Sequence, residues 1–400
     1  MQETFSGSFT QQEPIPEAAI AAAEAVLRSG RLHRYNLTPG DPGETGLLEQ
    51  EFADLVGARY CLAVASGGYA LQAGLRAMGV GPGDRVLTNA FTLAPVPGAI
   101  AAVGATPVYV GSDEELRIDL DDLVAKAPLA SVLMLSHMRG HLCDMDRLME
   151  IAQEHGLRVI EDCAHTMGAS WSGTPSGRFG AVGCYSTQTY KHINSGEGGF
   201  LVTDDADLAA RAILVSGSYM LYGRHVAAPD EEVFARHKMT MPNISARMDH
   251  LRAAILRPQL ALLARNVREW NARYRALEAV LTGSNGIRLI QRPAKEGMAA
   301  SSFQFRLPDF RADQIAGFVA GCAARGVELK WFGAKDPVAF TATYRHWQYA
   351  PEQALPETDR ILSSLIDMRL PLTFSIADVE TIGRIIRDEA GRAATSVAAE

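Results

Sequence analysis

The sequence predicts an α/β fold: a mostly parallel central sheet with helices on both faces, followed by a smaller C-terminal α/β domain. Short apolar runs with the length of buried strands alternate with runs of helical periodicity from residue 44 to residue 162. Strands and helices that alternate in this way form parallel sheets, because the crossover helices cover the faces of the sheet. After residue 203 the pattern changes. We expect a large domain over residues 1–255 and a small one over residues 256–400.

The elements of the first half follow from their composition and from the residues that bound them. The first helix begins near Pro16 and ends at Gly30, positions where proline and glycine are favoured. The predicted helices of this half cover residues 16–30, 44–57, 69–80, 92–105, 118–127 and 145–156. The apolar runs between them are predicted strands, and they cover residues 60–64, 84–90, 106–111, 130–137 and 158–162.

The second half of the chain is less regular. We interpret the stretch before the apolar run at 200–202 as a polar, glycine-rich segment, and residues 218–243 as a long irregular segment of the kind that is often functional. Apolar residues at i, i+3, i+4 and i+7 predict one continuous helix over residues 248–281, with the domain boundary inside it near Leu256. Further helices are predicted at 207–218, 314–326 and 377–390, and strands at 287–292, 301–307 and 327–331.

The composition is that of an ordinary globular protein, with 47% hydrophobic and 21% charged residues in 400. The net charge of −8 argues against nonspecific nucleic-acid binding, which needs a basic surface. The five cysteines are dispersed without a C-x-x-C pair, so we expect reduced core cysteines and no metal site. Neither a transmembrane span nor a signal peptide is predicted, and we expect a cytoplasmic protein.

The candidate reactive residues lie between residues 158 and 203. Asp162 ends a predicted strand, where α/β sheets bind ligands. Lys191 is flanked by small and hydroxyl residues, and a lysine in a confined site can lose its proton and attack a carbonyl carbon. Pyridoxal phosphate requires this pairing, a lysine for the Schiff base and an acid for the pyridinium nitrogen. Asp162 could instead cap a helix, and, considered alone, an acid or a lysine near glycines is usually an ordinary loop residue.

A second candidate is the sequence SGGYA at residues 66–70, which follows a predicted strand and opens a predicted helix. Unpaired amides at the N-terminus of a helix attract anions, so this segment is a candidate phosphate site. Considered alone, such a sequence is more often a structural turn.

Taken together, these motifs resemble the DegT/DnrJ/EryC1/StrS family of sugar aminotransferases, which are pyridoxal-phosphate enzymes of fold type I. The family has V-I-E-D-A-A-[QH]-x-x-G, then G-x-x-G, S-x-x-x-x-K and G-E-G-G. This chain has them at Val159 to Gly168, Gly177 to Gly180, Ser186 to Lys191 and Gly196 to Gly199. The resemblance covers roughly residues 20–270 well and is weaker in the C-terminal third.

The resemblance implies a role for each residue of the motifs. Lys191 is expected to form the Schiff base and to move the substrate proton. Asp162 is expected to hold the pyridinium nitrogen, and His165 to contact the 3-oxygen of the ring or to lie against the ring. The resemblance also implies that the cofactor phosphate is bound by Ser186 and by the amides of Gly67, Gly68 and Tyr69.

Two positions depart from the family pattern. Leu93 stands where the family has an aromatic residue that stacks on the cofactor, so apolar packing replaces stacking unless Phe91 or His165 takes that place. In the family, an asparagine before the long helix reaches the phosphate in the partner subunit. Here Ser245 aligns with it and Asn243 lies two residues earlier, and the expectation is divided between them.

The expected function is transfer of an amino group from an amino acid, with glutamate as the expected donor, to a keto sugar or related ketone by a homodimer with shared sites. Two alternatives are open: other pyridoxal-phosphate chemistry, such as sugar dehydration, and a non-catalytic regulator that binds the cofactor. Related dehydratases have histidine in place of the lysine, so the presence of Lys191 disfavours the first. The weaker match near residues 327–337 puts a nucleotide-linked substrate in doubt.

Overall fold

The computed structural model describes residues 2–395. Its strands are β1 (Tyr60–Val64), β2 (Arg85–Asn89), β3 (Thr106–Val110), β4 (Val132–Ser136), β5 (Arg158–Asp162), β6 (Ser170–Trp171), β7 (Thr174–Pro175), β8 (Val182–Ser186), β9 (Gly199–Thr203), β10 (Arg288–Leu289), β11 (Glu296–Gly297), β12 (Ser302–Arg306), β13 (Lys330–Trp331) and β14 (Leu365–Arg369). Its helices are α1 (Glu17–Ser29), α2 (Gly43–Val56), α3 (Gly67–Ala77), α4 (Pro95–Ala102), α5 (Leu120–Lys126), α6 (Met145–Glu154), α7 (Ala206–Gly217), α8 (Glu231–His237), α9 (His250–Leu260), α10 (Leu263–Leu281), α11 (Ala312–Ala324), α12 (Pro356–Ser363) and α13 (Ile376–Thr395). None of the helices in this range is both long enough and apolar enough to span a membrane.

The central sheet has seven strands in the order β1-β9-β8-β5-β4-β2-β3. The pairs from β8 to β3 are parallel, and β9 is antiparallel to both of its neighbours. The predicted mostly parallel sheet is therefore confirmed. β9 lies between β1 and β8 and is antiparallel to both, so β1 and β8 run in the same direction.

Helices cover both faces of this sheet, as predicted. Successive side chains of a strand point to opposite faces, and β4 shows the consequence. Val132 and Met134 pack into a core with α3, α4 and α7, whereas Leu133 and Leu135 pack into a second core with α5 and α6. Both faces of β4 are apolar because both are covered.

The smaller sheet has four antiparallel strands in the order β10-β12-β14-β13. Its core includes side chains of α10, α11 and α13. The N-terminal segment belongs to the same core, since the rings of Phe5 and Phe9 each lie 5.0 Å from the ring of Phe374. The division of the chain between residues 255 and 256 stays a prediction. The N-terminal segment precedes that division but packs against Phe374, which follows it.

The prediction of one continuous helix over residues 248–281 is wrong, because the chain breaks between α9 and α10. Pro258 lies inside α9 and lacks the N–H that would donate to the carbonyl four residues earlier. At the break, Leu262 N–H donates to Gln259 O at 3.0 Å, the tighter i to i−3 pattern. The apolar spacing continues through the break, so periodicity alone could not locate it.

Two segments interpreted as irregular contain regular structure. β8 lies in the stretch interpreted as glycine-rich, and it is an interior strand of the sheet, between β5 and β9. Gly183 is required within β8, because a Cβ there would lie 2.4 Å from Gly177 O. Residues 218–243 contain α8, whose Phe234 stacks on Tyr222 with ring centroids 4.4 Å apart. Polar flanks concealed this apolar contact in the sequence.

Candidate active site

Polar side chains end four neighbouring strands of the central sheet. The last residues of β2, β4, β5 and β8 are Asn89, Ser136, Asp162 and Ser186. Because these strands are parallel, the four residues lie at one edge of the sheet. This carboxyl edge is where α/β folds bind ligands.

A cavity of about 480 Å³ opens at this edge. Its wall contains seven of the predicted site residues, namely Gly67, Gly68, Leu93, Asp162, His165, Ser186 and Lys191. They come from the start of α3, the loop before α4, the end of β5, and β8 with the loop after it. Residues that are far apart in the chain therefore meet around one space.

Asp162 is 8% exposed, and each of its carboxylate oxygens has its own donor. Ser136 Oγ donates to Oδ2 at 3.0 Å, and Ala164 N–H donates to Oδ1 at 3.1 Å. Ser136 Oγ in turn accepts a hydrogen bond from Thr92 Oγ1 at 2.8 Å. The carboxylate thus accepts a hydrogen bond from the turn that follows β5 and is also fixed in the cavity wall. The predicted contact with the pyridinium nitrogen stays a prediction.

Lys191 Nζ lies 2.8 Å from His165 Nε2. The other ring nitrogen, Nδ1, accepts the backbone N–H of Arg139 at 3.3 Å, which assigns the proton of the neutral ring to Nε2. Burial, with the nearby charges of Arg139 and Arg369, lowers the pKa of Lys191 to about 7. Burial and the charge of Lys191 hold the pKa of His165 well below its ordinary range. At neutral pH a neutral imidazole therefore faces an amine that is close to half deprotonated.

The first turn of α3 contacts the end of β8. A Cβ on Gly67 would lie 2.7 Å from Ser186 Cβ, so glycine is required there. Ser66 caps the helix by accepting Tyr69 N–H at 3.1 Å, whereas the N–H groups of Gly67 and Gly68 have no acceptor within the helix. These two amides and Ser186 Oγ form a group of donors at the positive end of the helix dipole, a place suited to phosphate.

A model of the DegT/DnrJ/EryC1/StrS aminotransferase family matches residues 14–387 of the chain. The chain belongs to this family. It is therefore an enzyme of a pyridoxal-phosphate-dependent aminotransferase family, and the resemblance seen in the motifs is confirmed. The match also includes the C-terminal third, where the motifs were weaker.

Two relatives show how far the similarity extends. UDP-N-acetyl-3-dehydro-alpha-D-glucosamine 3-aminotransferase of Acidithiobacillus ferrooxidans is 35% identical over 265 residues, which are 64% of this chain and 68% of that protein. L-glutamine:scyllo-inosose aminotransferase of Streptomyces griseus is 32% identical over 301 residues, which are 73% of this chain and 69% of that protein.

Solved structures share the fold over nearly the whole chain. 3-Amino-5-hydroxybenzoic acid synthase superposes with a TM-score of 0.82 at 27% identity, covering 96% of this chain and 99% of that one. DesV of S. venezuelae, solved in complex with a ketimine intermediate, superposes with a TM-score of 0.78 at 28% identity, covering 93% and 94%. The α/β fold of these aminotransferases is therefore the fold of this chain.

Tyr69 does not contribute to the described wall of the aminotransferase cavity. Its N–H donates to Ser66 Oγ, and its hydroxyl donates to Val215 O at 2.9 Å. Burial raises the pKa of this hydroxyl to about 12. In this structure Tyr69 therefore completes the cap of α3 and packs in the core, and the predicted phosphate contact through its amide would require that cap bond to be given up.

Asn243 and Ser245 are also absent from the described cavity wall of their own chain. Ser245 Oγ lies 3.0 Å from Tyr219 OH and 3.4 Å from Arg247 Nη1. Arg247 donates to Gly217 O at 2.8 Å, which holds this segment against the end of α7. The predicted contact of Asn243 or Ser245 with the partner's cofactor stays a prediction.

Four residues at the site carried no signal in the sequence, and three of them come from segments distant from Lys191. Phe340 lines the cavity from the segment between β13 and α12. Arg139, Tyr190 and Arg369 surround a smaller recess that adjoins the cavity. Arg139 has a φ of 55°, unusual for a residue other than glycine, but no local pattern of letters marks any of the four.

Glu161, next to Asp162 in β5, holds the turn from Gly177 to Gly180 in place. His137 Nε2, Glu161 Oε2 and Cys163 lie close enough together to resemble a metal-ligand cluster. The carboxylate of Glu161 is, however, occupied by donors: His137 Nε2 at 3.0 Å, Gly177 N–H at 2.8 Å and Gly180 N–H at 2.7 Å. Burial raises its pKa, and these bonds more than offset that effect, so that the pKa is lower than usual. The group is explained as a structural network.

Proposed function

We propose that this chain is an aminotransferase that binds pyridoxal phosphate and transfers an amino group from an amino acid, with glutamate as the expected donor, to a keto sugar or related ketone. The observation that supports this most directly is the position of the Lys191 amine, 2.8 Å from His165 Nε2 in a cavity that also contains the Asp162 carboxylate. A reactive amine, a fixed anion and a phosphate site in one space are the three requirements of this cofactor.

The described residues fit the cofactor. The amides of Gly67 and Gly68 with Ser186 Oγ would hold its phosphate, and the close contact between Gly67 and Ser186 leaves no room for a side chain at this point. Asp162, oriented by Ser136 and Ala164, would hold the protonated ring nitrogen. Leu93 is in the cavity wall and supplies the apolar contact expected in place of an aromatic ring.

When bound, the cofactor supplies an electron sink for the negative charge that develops at the substrate carbon. The chain supplies the proton transfers. Lys191 Nζ, with a pKa of about 7, is able to accept the proton of the substrate carbon and to return it, as a general base and acid. The N–H of His165 Nε2 donates toward Nζ and orients it.

The names of the relatives support a cyclic keto compound as the acceptor. One relative is named for a dehydro sugar nucleotide and another for scyllo-inosose. Both are ring ketones, and the cavity of about 480 Å³ has the size of a small-molecule site. A keto sugar or cyclitol is therefore the first acceptor class to test.

We further propose a homodimer in which each subunit completes the site of its partner. Asn243 and Ser245 lie outside the cavity of their own chain, and the neighbouring Tyr219 is 57% exposed. A two-fold interface would make the exchange reciprocal. The test mixes Lys191→Ala subunits with subunits carrying both Asn243→Ala and Ser245→Ala under conditions of subunit exchange. Recovered activity supports a shared site, and no recovery despite exchange contradicts it.

The test of the aminotransferase proposal follows the absorbance of the protein saturated with pyridoxal phosphate as glutamate is added. We expect conversion of the cofactor to its amine form with release of 2-oxoglutarate, and reversal by a keto acceptor. Lys191→Ala is the matched control and should bind cofactor without this conversion. A cofactor that binds but is not converted by any amino acid would favour the regulator.

A further inference from the structure

Lys191 lies in the loop that joins β8 to β9. The two ends of this loop are held to each other by main-chain hydrogen bonds, from Thr187 N–H to Gly198 O at 2.9 Å and from Ser195 N–H to Thr187 O at 3.0 Å. Residues 190–194 lie beyond these bonds, at the far end of the loop. The contacts that hold this far end therefore also set the position of the reactive amine.

Gln259, in the last turn of α9, binds the far end of the loop through its side-chain amide. Its Oε1 accepts Asn194 N–H at 2.9 Å, and its Nε2 donates to Asn194 O at 2.8 Å. The two bonds satisfy both main-chain groups of one residue, as a neighbouring strand does in a sheet. A third bond, from Nε2 to Ile255 O at 2.8 Å, fixes the amide to its own helix. Gln259 is 8% exposed, so it forms a buried link between α9 and the loop.

The packing around the loop does not replace this link. A space of about 70 Å³ lies against residues 191–194 and is also lined by Gln259 and by residues 12–16 of the N-terminal segment. It compares with about 30 Å³ per water molecule in the liquid, so it has room for water. Without Gln259, the main-chain groups of Asn194 would lose their partners at a cost in free energy. The loop can then move toward this space, where water can bind those groups.

The state of the Lys191 amine depends on this geometry. Its Nζ lies 2.8 Å from His165 Nε2, and burial, with the charges of Arg139 and Arg369, lowers its pKa to about 7. Gln259 is not among the described residues that line the aminotransferase cavity, so it acts on the amine through the loop. When the loop moves and water reaches the amine, the ammonium form is favoured and the pKa rises.

The other charged or titratable groups near the amine keep their chemistry when Gln259 is replaced. They come from the turn after β4, the end of β5 and the turn after it, β14 and the loop itself, and they are Arg139, Asp162, His165, Arg369, His192 and Glu197. A change in the titration of Lys191 therefore reports the position and the hydration of the amine.

We propose that Gln259 is a positioning residue that holds the loop of Lys191, so that the amine stays beside His165 and away from bulk water. The consequence for amino transfer rests on the proposed function, in which Lys191 moves the substrate proton. A displacement of about 1 Å in a reacting group can cost about 10²-fold in rate. The effect on the amine itself does not depend on the proposed function.

The test measures the titration of Lys191 in the full chain before cofactor is added. Trace acetylation with acetic anhydride labels an amine in proportion to its neutral form, and mass spectrometry gives the labelling of Lys191 as the pH is raised. Gln259→Met keeps an unbranched side chain of similar size and removes all three hydrogen bonds. We expect the midpoint for Lys191 to rise by about one pH unit or more, toward the ordinary lysine value of about 10.4. In the loaded protein, amino transfer from glutamate should slow by about 10-fold or more.

Gln314→Met is the matched control. Gln314 is 7% exposed, accepts Arg311 N–H at 2.9 Å and donates to Ala393 O at 2.9 Å. It therefore also binds two main-chain groups, but between the start of α11 and the end of α13. The control should lose stability to urea as Gln259→Met does, and it should keep the wild-type midpoint for Lys191.

A wild-type midpoint in folded Gln259→Met, an equal shift in Gln314→Met, or a wild-type Lys191 that titrates like an ordinary lysine would overturn the proposal. Gln259→Asn shortens the side chain by one methylene and should shift the midpoint in the same direction by less. If neither Gln259 variant folds while Gln314→Met does, Gln259 has only a structural role and the proposal is wrong. A midpoint that depends on Gln259 in a protein that transfers no amino group would refute the proposed function and leave the positioning role standing.

Discussion

Replacing Asp162 with asparagine removes one negative charge from the cavity wall and changes almost nothing in shape. The amide oxygen can still accept Ala164 N–H, as Oδ1 does now at 3.1 Å. The new NH2 group faces Ser136 Oγ, which already accepts from Thr92 Oγ1 at 2.8 Å and loses the acceptor for its own proton. We expect a stability cost of about 1 kcal/mol and an intact fold.

The effect on catalysis should be much larger than the effect on stability. A neutral amide cannot hold the ring nitrogen of the cofactor in its protonated form, so the electron sink is weakened in every transfer. Removing one fixed electrostatic partner from an active site costs about 10²-fold or more in rate. Ser136→Ala is the matched control, because it removes the 3.0 Å hydrogen bond to Asp162 but keeps the charge. It should slow the reaction by about tenfold.

The assay is the steady-state rate of amino transfer from glutamate, with the cofactor content of each variant measured in parallel. We expect Asp162→Asn to retain cofactor and to be slower than Ser136→Ala. If Asp162→Asn contained full cofactor and kept nearly the rate of the wild type, another group would supply the charge and the role given to Asp162 would be wrong.

Three further predictions concern the lysine and the phosphate site. Borohydride reduction of the loaded protein should fix the cofactor on Lys191, and a mass-spectrometric adduct on another lysine, such as Lys238, would show that the wrong lysine has been assigned. Loading of the free protein with pyridoxal phosphate should accelerate as pH rises through about 7 and level off above it, because the pKa of Lys191 is about 7 and the neutral amine is the reactive form; a rate that keeps rising toward pH 10 would contradict this. Gly67→Ala should destabilise the protein to chemical denaturation by about 1–3 kcal/mol and weaken cofactor binding, since the new Cβ meets Ser186 Cβ at 2.7 Å. Gly68→Ala, whose Cβ would have its nearest neighbour at 3.5 Å, is the control and should cost less.

Short motifs in the sequence predicted residues that the structure brings together around one cavity. Asp162 could be predicted because the ends of parallel strands meet at one edge, and the end of its strand is visible in the letters. Ser186 and Lys191 were predicted from the spacing of the family motif. A motif does not show, however, which of its amides already have an acceptor. Tyr69 opens a helix in a phosphate-site motif, but the Ser66 side chain takes its N–H, and that capping bond depends on a side-chain rotamer.

The remaining features depend on contacts between distant segments. Arg369 and Phe340 reach the site from the C-terminal part of the chain, and only the folded structure brings Arg369 against Tyr190. β8 escaped prediction because close packing of backbone requires Gly183, and glycine is a poor strand signal. The helix break near Pro258 escaped prediction because apolar spacing continues across it.

The central claim is that this chain transfers an amino group, and the fate of labelled nitrogen tests it most directly. Glutamate labelled with ¹⁵N at its amino group is incubated with the protein, pyridoxal phosphate and a panel of keto sugars, cyclitols and keto acids, and the products are analysed by mass spectrometry. We predict ¹⁵N in an aminated product made by the wild-type protein and none with Lys191→Ala. A deoxygenated product without ¹⁵N, as sugar dehydration would give, would contradict the account. So would an aminated product that still contains ¹⁵N when Lys191→Ala replaces the wild type.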